Sequence, residues 1–336
     1  MQVAYKANLH CHSTISDGKL TPEQLKEAFL EKGYSVLCYT DHEVFIPHHA
    51  ALSDEHFVAL NGYEWGVSQG QKVTDPAAVQ DEKVCHLCAI AKDPTRVIQP
   101  LWHRTKYTGC GAEKSRPLVQ FDPSTPDVER DYSPACINAA IRTLREEGFF
   151  VTYNHPTWSM EDYRDYGHYE GMDAMEMVNY SSKTCGYPEY NARVYDDLLR
   201  QGKRLYCVAT DDNHSTRDAL GGFTMIRAAA LTYTDIIAAL ERGTFYASEG
   251  PQISDLYYDS ETHTVTLQTP GAAEICMISG KRKMHRIAAA PGQVLAQAVF
   301  PIEGGEGYVR FTVTDAHGLH ADTNAYYPRE WEAENV

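Results

Sequence analysis

The sequence predicts an α/β chain, a parallel sheet followed by a small all-β appendage. Three observations carry this. A capped helix lies between two apolar strands near the amino end. The alternation then continues until seven strands have passed. From Pro251 onward, short alternating strands replace it. At 336 residues the chain accommodates one large α/β domain with an appendage.

The elements follow in order. Val3–Leu9 reads as a strand. In "TPEQLKEAFLEKG", Thr21 is the N-cap, Pro22 takes the first helical position and Gln24 completes a capping box. Leu25, Ala28 and Phe29 form the apolar face, and Gly33 ends the helix. "SVLCYTDH" follows as a buried strand, so the first unit is βαβ and the sheet is expected to be parallel. "FVALNGYEW" and "KVCHLCAIA" are the next strands. "SPACINAAIRTLREEG" repeats the helix signals, with Ser133, Pro134 and Gly148 as its punctuation. "FFVTYNHP", "DAMEMVN" and "RLYCVATDD" complete the seven, with a helix near Glu189–Gln201 before the last. "FTMIRA" and "TDIIAALERG" close a domain expected over residues 1–250. Within it, residues 93–131 are rich in Pro, Arg and Lys without a period, and read as an insertion, either a lid or a surface excursion. "TVTLQTP", "EICMISG", "QAVFPIEG" and "YVRFTVTDAHG" make residues 251–336 a small β-rich domain.

The formal charge is −16, and no Lys/Arg run interrupts it. Such a chain repels nucleic-acid phosphates, so no nucleic-acid partner is favoured. Acidity suits a protein that binds divalent cations, and ordinary solubility accounts for it equally well. The nine cysteines are scattered and read as reduced thiols, which points to a cytoplasmic protein. No apolar run is long enough to span a bilayer and no signal peptide is read, so no membrane partner is expected.

The polar residues show a pattern on this scaffold. His10, His42, Glu64, His155 and Asp212 end predicted strands, and His86 lies within one. That edge is where α/β sheets build sites. Each piece alone has a plain explanation. His10-x-His12 arises by chance in a chain with fifteen histidines. Asp41-His42 can be a helix cap beside a surface imidazole, Asn154-His155-Pro156 a turn, and Asp211-Asp212-Asn213-His214 a capping loop. Together, in order and on alternate elements, they point to a metal site. Strand period two lets His10 and His12 grip one ion. Imidazole with carboxylate suits Zn, Mn or Fe, and a glutamate can bridge two ions. The donors exceed the four of a structural zinc, which argues for two or three divalent ions. Such clusters generate a metal-bound hydroxide and clamp attacking and leaving oxygens.

"LHCHSTISDG", "YTDH", "GYEW", "CHLCA", "YNHP" and "TDDNHS", in order over residues 5–250, resemble the PHP (polymerase and histidinol phosphatase) superfamily of metal-dependent phosphoesterases. The resemblance implies a distorted (β/α)7 barrel and three ions. His10, His12, Glu64 and Asp212 would share one. Glu64 would bridge to a second, held by His86 and His155. Asp17, His42 and His214 would hold the third. Asp17, His42, Glu64 and Asp212 would form the catalytic set. Two departures stand out. Asn8 occupies a position more often Asp, and the last motif offers both Asp211 and Asp212. Asp212 is taken as the ligand for its Asp-x-His spacing to His214, with Asp211 behind it. The tail, with "RGTFYASEGPQISD", resembles the carbaryl-hydrolase-like branch.

Other candidates are weighed beside these. Cys85 and Cys88 read as core thiols, since no second pair stands at zinc-ribbon spacing. Glu176 either lines the site or is a satisfied interior acid. His48 and His49 read as solvated loop histidines. Arg104, Lys106, Arg116, Lys183 and Arg217 can supply cations to a phosphate, although each alone is equally a surface charge. Trp102, His103, Trp158 and Tyr180 can wall a leaving-group pocket or pack a lid. No phosphate-binding glycine loop or serine elbow is present. The expected activity is hydrolysis of a small phosphomonoester or phosphodiester by a metal-bridging hydroxide. The alternatives are a carbamate, carboxylic ester or amide hydrolase with the same cluster, and a non-catalytic metal-binding module.

Overall fold

A computed structural model describes residues 2–70 and 82–333. Strands β1 (Val3–Asn8), β2 (Val36–Tyr39), β3 (Val58–Ser68), β4 (Val84–Ala91), β5 (Phe149–Tyr153), β6 (Ala174–Asn179) and β7 (Tyr206–Thr210) match the seven expected segments. β8 (Phe223–Ala228) and β9 (Phe245–Ser248) follow. The helices Pro22–Glu31, Pro134–Glu146, Ala192–Arg200 and Tyr233–Arg242 cover them. The first begins as its signals require. Thr21 Oγ1 accepts from Gln24 N at 3.3 Å, and Gln24 Oε1 accepts from Thr21 N at 2.9 Å. Its Leu25 and Phe29 pack with Leu37, Tyr39 and Ala59, while Val36 and Cys38 of β2 face a second cluster around the helix Tyr233–Arg242. Both faces of the sheet are therefore buried.

The expectation of an all-parallel sheet is corrected. β1–β2–β3 and β5–β6–β7 pair in parallel, but β4 runs antiparallel to both β3 and β5. No helix crosses over between β3 and β4 among the described residues, and an antiparallel neighbour needs none. The reversal brings the amino end of β4, with His86, to the edge where its neighbours end.

The strand ladders also do not close into a ring. β8 takes the free edge of β1 by antiparallel pairing from Val3 to Ala7, so β7 is left at the end of the sheet. Past Ala7 the two segments meet after all. Asp212 N donates to His10 O at 2.9 Å and His12 N donates to Asn213 O at 3.1 Å. The fold is thus mixed α/β with one large sheet, drawn together at the site end by loop bonds.

Residues 93–131 contain a 3-10 turn at Ala112–Leu118, and Ser115 Oγ donates to Ile15 O at 2.6 Å. The insertion therefore leans on the loop that carries Asp17. Beyond β9 lie β10 (Asp255–Asp259), β11 (Thr264–Ala272), β12 (Glu274–Ser279), β13 (His285–Ala288), β14 (Leu295–Pro301), β15 (Val309–Thr314) and β16 (His320–Thr323). β10, β11 and β14 form a separate sheet, whereas β16 pairs with β9 and carries β12, β13 and β15 onto the large one. The nine cysteines are unpaired, with Cys85 and Cys88 both buried. No helix among the described residues is long and apolar enough to cross a membrane.

Candidate metal centre

The site is built from strand ends. β1 runs out into His10 and His12, whose Nε2 atoms lie 3.1 Å apart. Asp212, just past β7, reaches both, its Oδ1 standing 3.1 Å from His10 Nε2 and 2.8 Å from His12 Nε2. Glu64 of β3 sits at the centre. Its Oε1 lies 3.3 Å from His10 Nε2, 3.1 Å from His86 Nδ1 and 3.3 Å from His155 Nε2, and its Oε2 lies 2.8 Å from His42 Nδ1. Asp17 approaches His42 at 3.8 Å and His214 at 3.5 Å.

Three sets of donors gather tightly enough to hold an ion: His10, His12, Glu64 and Asp212; His42, Glu64 and His86; and His12, Asp17, His42 and His214. His155 joins through Glu64. His12 and His42 each stand in two sets, so one ion would claim each.

Strand alternation explains this convergence. Glu64 and Gly66 share one face of β3 and Trp65 takes the other. A side chain at Gly66 would meet His86 Cδ2 at 2.9 Å, so the glycine leaves room for that ring. Gly18 is equally constrained, because a Cβ there would stand 2.4 Å from His12 O. His155 and Asp212 hold φ of 25° and 54°, in the left-handed region, where side chains other than glycine are strained.

The electrostatics fit a cation. Burial alone would raise the Glu64 carboxyl, but His86, His10 and His42 more than reverse this and hold it well below the usual range. Burial, then the neighbouring His42 and His214, pushes His12 well down, which leaves a neutral imidazole. Glu64 Oε2, Asp212 Oδ1, His12 Nδ1 and His86 Nδ1 are buried without a hydrogen-bond partner. Carboxylate oxygens and imidazole nitrogens crowded this closely in a buried site are what divalent ions satisfy.

An outer ring holds these donors, and sequence reasoning largely missed it. Glu176 Oε1 accepts from Thr210 Oγ1 at 2.6 Å and faces His10 Nδ1 at 2.7 Å. Its Oε2 accepts from His155 N at 2.8 Å and Asn179 Nδ2 at 2.9 Å, and Asn179 Nδ2 also donates to Asp212 Oδ2 at 3.1 Å. Asn154 Nδ2 donates to Glu64 Oε1 at 2.9 Å. Asp41 accepts from Ser13 N and Oγ, both at 2.8 Å, and from Ser16 N at 3.1 Å and Oγ at 2.7 Å, fixing the loop before Asp17. Asn8 accepts from Asp211 N at 3.0 Å and His10 N at 3.3 Å. Asp211 accepts from Leu220, Gly221 and Gly222 N, and burial raises it to about 7. The only sequence signal for this ring was polar type at strand ends.

Similar solved structures include a two-domain protein containing a predicted PHP-like metal-dependent phosphoesterase from Bacteroides vulgatus. It is 15% identical over 96% of this chain and 95% of that one, with a TM-score of 0.45. An amidohydrolase from Chromobacterium violaceum, with bound sulfate and no metal, is 17% identical over 71% and 96% at 0.41. The lesion-specific endonuclease EndoQ from Pyrococcus furiosus is 12% identical over 71% and 56% at 0.40. No family model and no curated protein sequence matches the chain. The reading of the site therefore rests on its own geometry.

Two cavities open over the cluster, one of about 360 Å³ lined by Asp17, His155, Asp212, His214 and Trp158, and one of about 250 Å³ lined by Glu43, Gly66 and Tyr107; both share His42, His86 and Cys110. The Trp158 ring lies 4.9 Å from His155. None of the five basic candidates lines either cavity. Arg104 pairs with Asp127 at 2.5 Å and Lys106 with Glu129 at 2.7 Å. Arg116 lies 4.0 Å over the Trp102 ring, Lys183 pairs with Glu249, and Arg217 is exposed in the loop after His214. His48 N and His49 N both donate to Asn61 Oδ1, away from the cluster.

Proposed function

We propose that this chain is a metal-dependent phosphoesterase acting on a small phosphomonoester or phosphodiester. One observation carries the reading: imidazoles and carboxylates from six strands and the loops that follow them meet in one buried cluster, with Glu64 Oε2 and Asp212 Oδ1 among the atoms left without a hydrogen-bond partner. In this reading residues 1–250 form the hydrolase domain on a distorted seven-stranded barrel, with 251–336 a β-rich appendage. The bonds joining residues 10–12 to 212–213 support that scaffold. His10, His12, Glu64 and Asp212 would hold one ion, Glu64 with His86 and His155 a second, and Asp17, His42 and His214 a third. Mn, Zn and Fe all suit these donors. Bound divalent ions supply Lewis acidity and water activation. The protein contributes the rest. Glu176 and Asn179 orient His10 and Asp212, Asp41 fixes the Asp17 loop, and Trp158 offers an apolar wall for the leaving group.

Metal content and turnover of p-nitrophenyl phosphate and bis(p-nitrophenyl) phosphate test this. Both activities are expected to vanish on chelation and return with Mn, Zn or Fe. Undiminished turnover by metal-free protein would overturn the proposal.

A second reading is favoured by the cavity walls, which carry no lysine or arginine but do carry Trp158. A neutral aryl carbamate or carboxylic ester suits such walls, as the resemblance of the tail to the carbaryl-hydrolase-like branch suggests. Turnover of 1-naphthyl N-methylcarbamate or p-nitrophenyl acetate without phosphate ester turnover would select it.

A further inference from the structure

His155 holds a left-handed backbone, with φ of 25°, and such a conformation persists only where the surroundings fix it. On one side, His155 N donates to Glu176 Oε2. On the other, the turn from His155 to Ser159 closes with Ser159 N donating to His155 O at 3.0 Å. Pro156 has no N–H, so Thr157 and Trp158 carry the two backbone donors in between. Both go to one side chain. Glu189 Oε1 accepts from Thr157 N at 3.1 Å, and Glu189 Oε2 accepts from Trp158 N at 2.6 Å.

Glu189 is wholly buried, and among the described residues no lysine or arginine pairs with it. A carboxylate is costly to bury without a cation, so its hydrogen bonds carry it. Asn191 Nδ2 supplies a third donor at 2.7 Å, and Asn191 Oδ1 accepts from Thr157 Oγ1 at 2.9 Å. The segment bearing this pair is itself anchored. Asn191 N donates to Met177 O at 2.7 Å, and its Nδ2 donates to Glu176 O at 3.1 Å. Between the two, Tyr190 turns to β16 of the appendage. Its OH donates to Asp322 Oδ2 at 3.1 Å, and its ring stacks on His320 at 4.3 Å. β6 and the appendage thus fix Glu189 from two sides.

We propose, on the reading above that His155 binds an ion, that Glu189 is a positioning residue for the metal centre, its carboxylate setting the turn that aims His155 at Glu64 and places Trp158 at the cavity wall. Glu189 itself lines neither cavity over the cluster and stands in none of the donor sets. It acts on the site through the N–H groups of Thr157 and Trp158.

Glu189→Gln tests this in the full chain, because it keeps the size but turns an NH2 toward one of the two N–H groups. Amide hydrogen exchange is expected to run about tenfold faster at Thr157 and Trp158 and to stay unchanged in the helix Pro134–Glu146, which a general loss of stability would not spare. Titration of the metal-free variant with zinc should show one ion bound about ten- to a hundredfold more weakly and any others as in wild type. With zinc saturating, KM for bis(p-nitrophenyl) phosphate should rise about three- to tenfold while kcat stays within about twofold, as befits a displaced apolar wall. If the variant does not fold, the wild type still decides: both amides should be protected in metal-free protein, since the carboxylate and not an ion holds them. Free exchange of either amide there, zinc binding unchanged in the variant, or an unchanged KM would overturn the proposal. A wild type that binds no zinc would overturn the metal reading together with it. A wild type that binds zinc but turns over no phosphate ester would count against the proposed function alone, and the exchange and zinc measurements would decide Glu189.

Discussion

Glu64 and Glu161 are both buried carboxylates, and burial acts on them in the same direction, yet they end in opposite states. Glu64 stands among His10, His42, His86 and His155 and is held well below the ordinary glutamate range. Glu161 stands among hydroxyls. Its Oε1 accepts from Tyr132 OH at 2.7 Å and from Tyr169 OH, and its Oε2 from Tyr153 OH at 2.6 Å. Burial raises it to about 7, against the three tyrosine bonds and with help from Asp165. Burial alone thus does not make a carboxylate useful to a cation. Its neighbours decide whether it is kept charged and unsatisfied or clamped and quiet.

The largest expected effect breaks the first half of this comparison. Glu64→Gln removes the charge at the centre of the cluster. Elemental analysis should find fewer bound ions, and hydrolysis should fall by roughly a thousandfold or more. Full metal content with full turnover would take Glu64 out of the centre. The second prediction tests Glu161. Its folded value of about 7 lies above the ordinary 4.5, so between these values the folded chain holds the proton that the unfolded chain has released. Stability should therefore fall as pH rises through this window, by on the order of 3 kcal/mol. Urea unfolding of wild type and Glu161→Gln from pH 4 to 8 should show a loss larger in the wild type by about that amount, since Asp211, also raised to about 7, titrates in both, and parallel curves would refute it. The smallest effect sharpens the contrast. Glu176→Gln keeps the shape but removes the charge facing His10 Nδ1, and should lower metal affinity or activity by about ten- to a hundredfold. A metal titration unchanged from wild type would make Glu176 an ordinary interior acid.

Much of this was legible in the sequence, because local interactions govern it. The capping box at Thr21 and Gln24 involves residues three apart, and the apolar strands read by their own pattern. His10, His42, Glu64, His155 and Asp212 were visible as residue types at predicted strand ends, His86 within a strand and His12 by its spacing from His10, while Asp17 and His214 entered through the resemblance; the structure brings these nine side chains close to one another. Pairing across long separations was not legible. Nothing near Lys183 in the chain reveals that it meets Glu249, and nothing near Arg104 shows that Asp127 and backbone carbonyls already satisfy it. Glu176 looked the same whether lining the site or serving as a satisfied interior acid, until His10, His155 N and Thr210 were found around it.

The sequence by itself determined the order of strands and helices, the helix starts and the chemical kind of each donor, since these depend on neighbours within a turn or a pleat. Only the tertiary structure decided the reversed direction of β4, the capture of the β1 edge by β8, the partners of the basic residues and the outer ring around Glu64. Each of these is a contact between distant segments, and packing and charge in three dimensions select it.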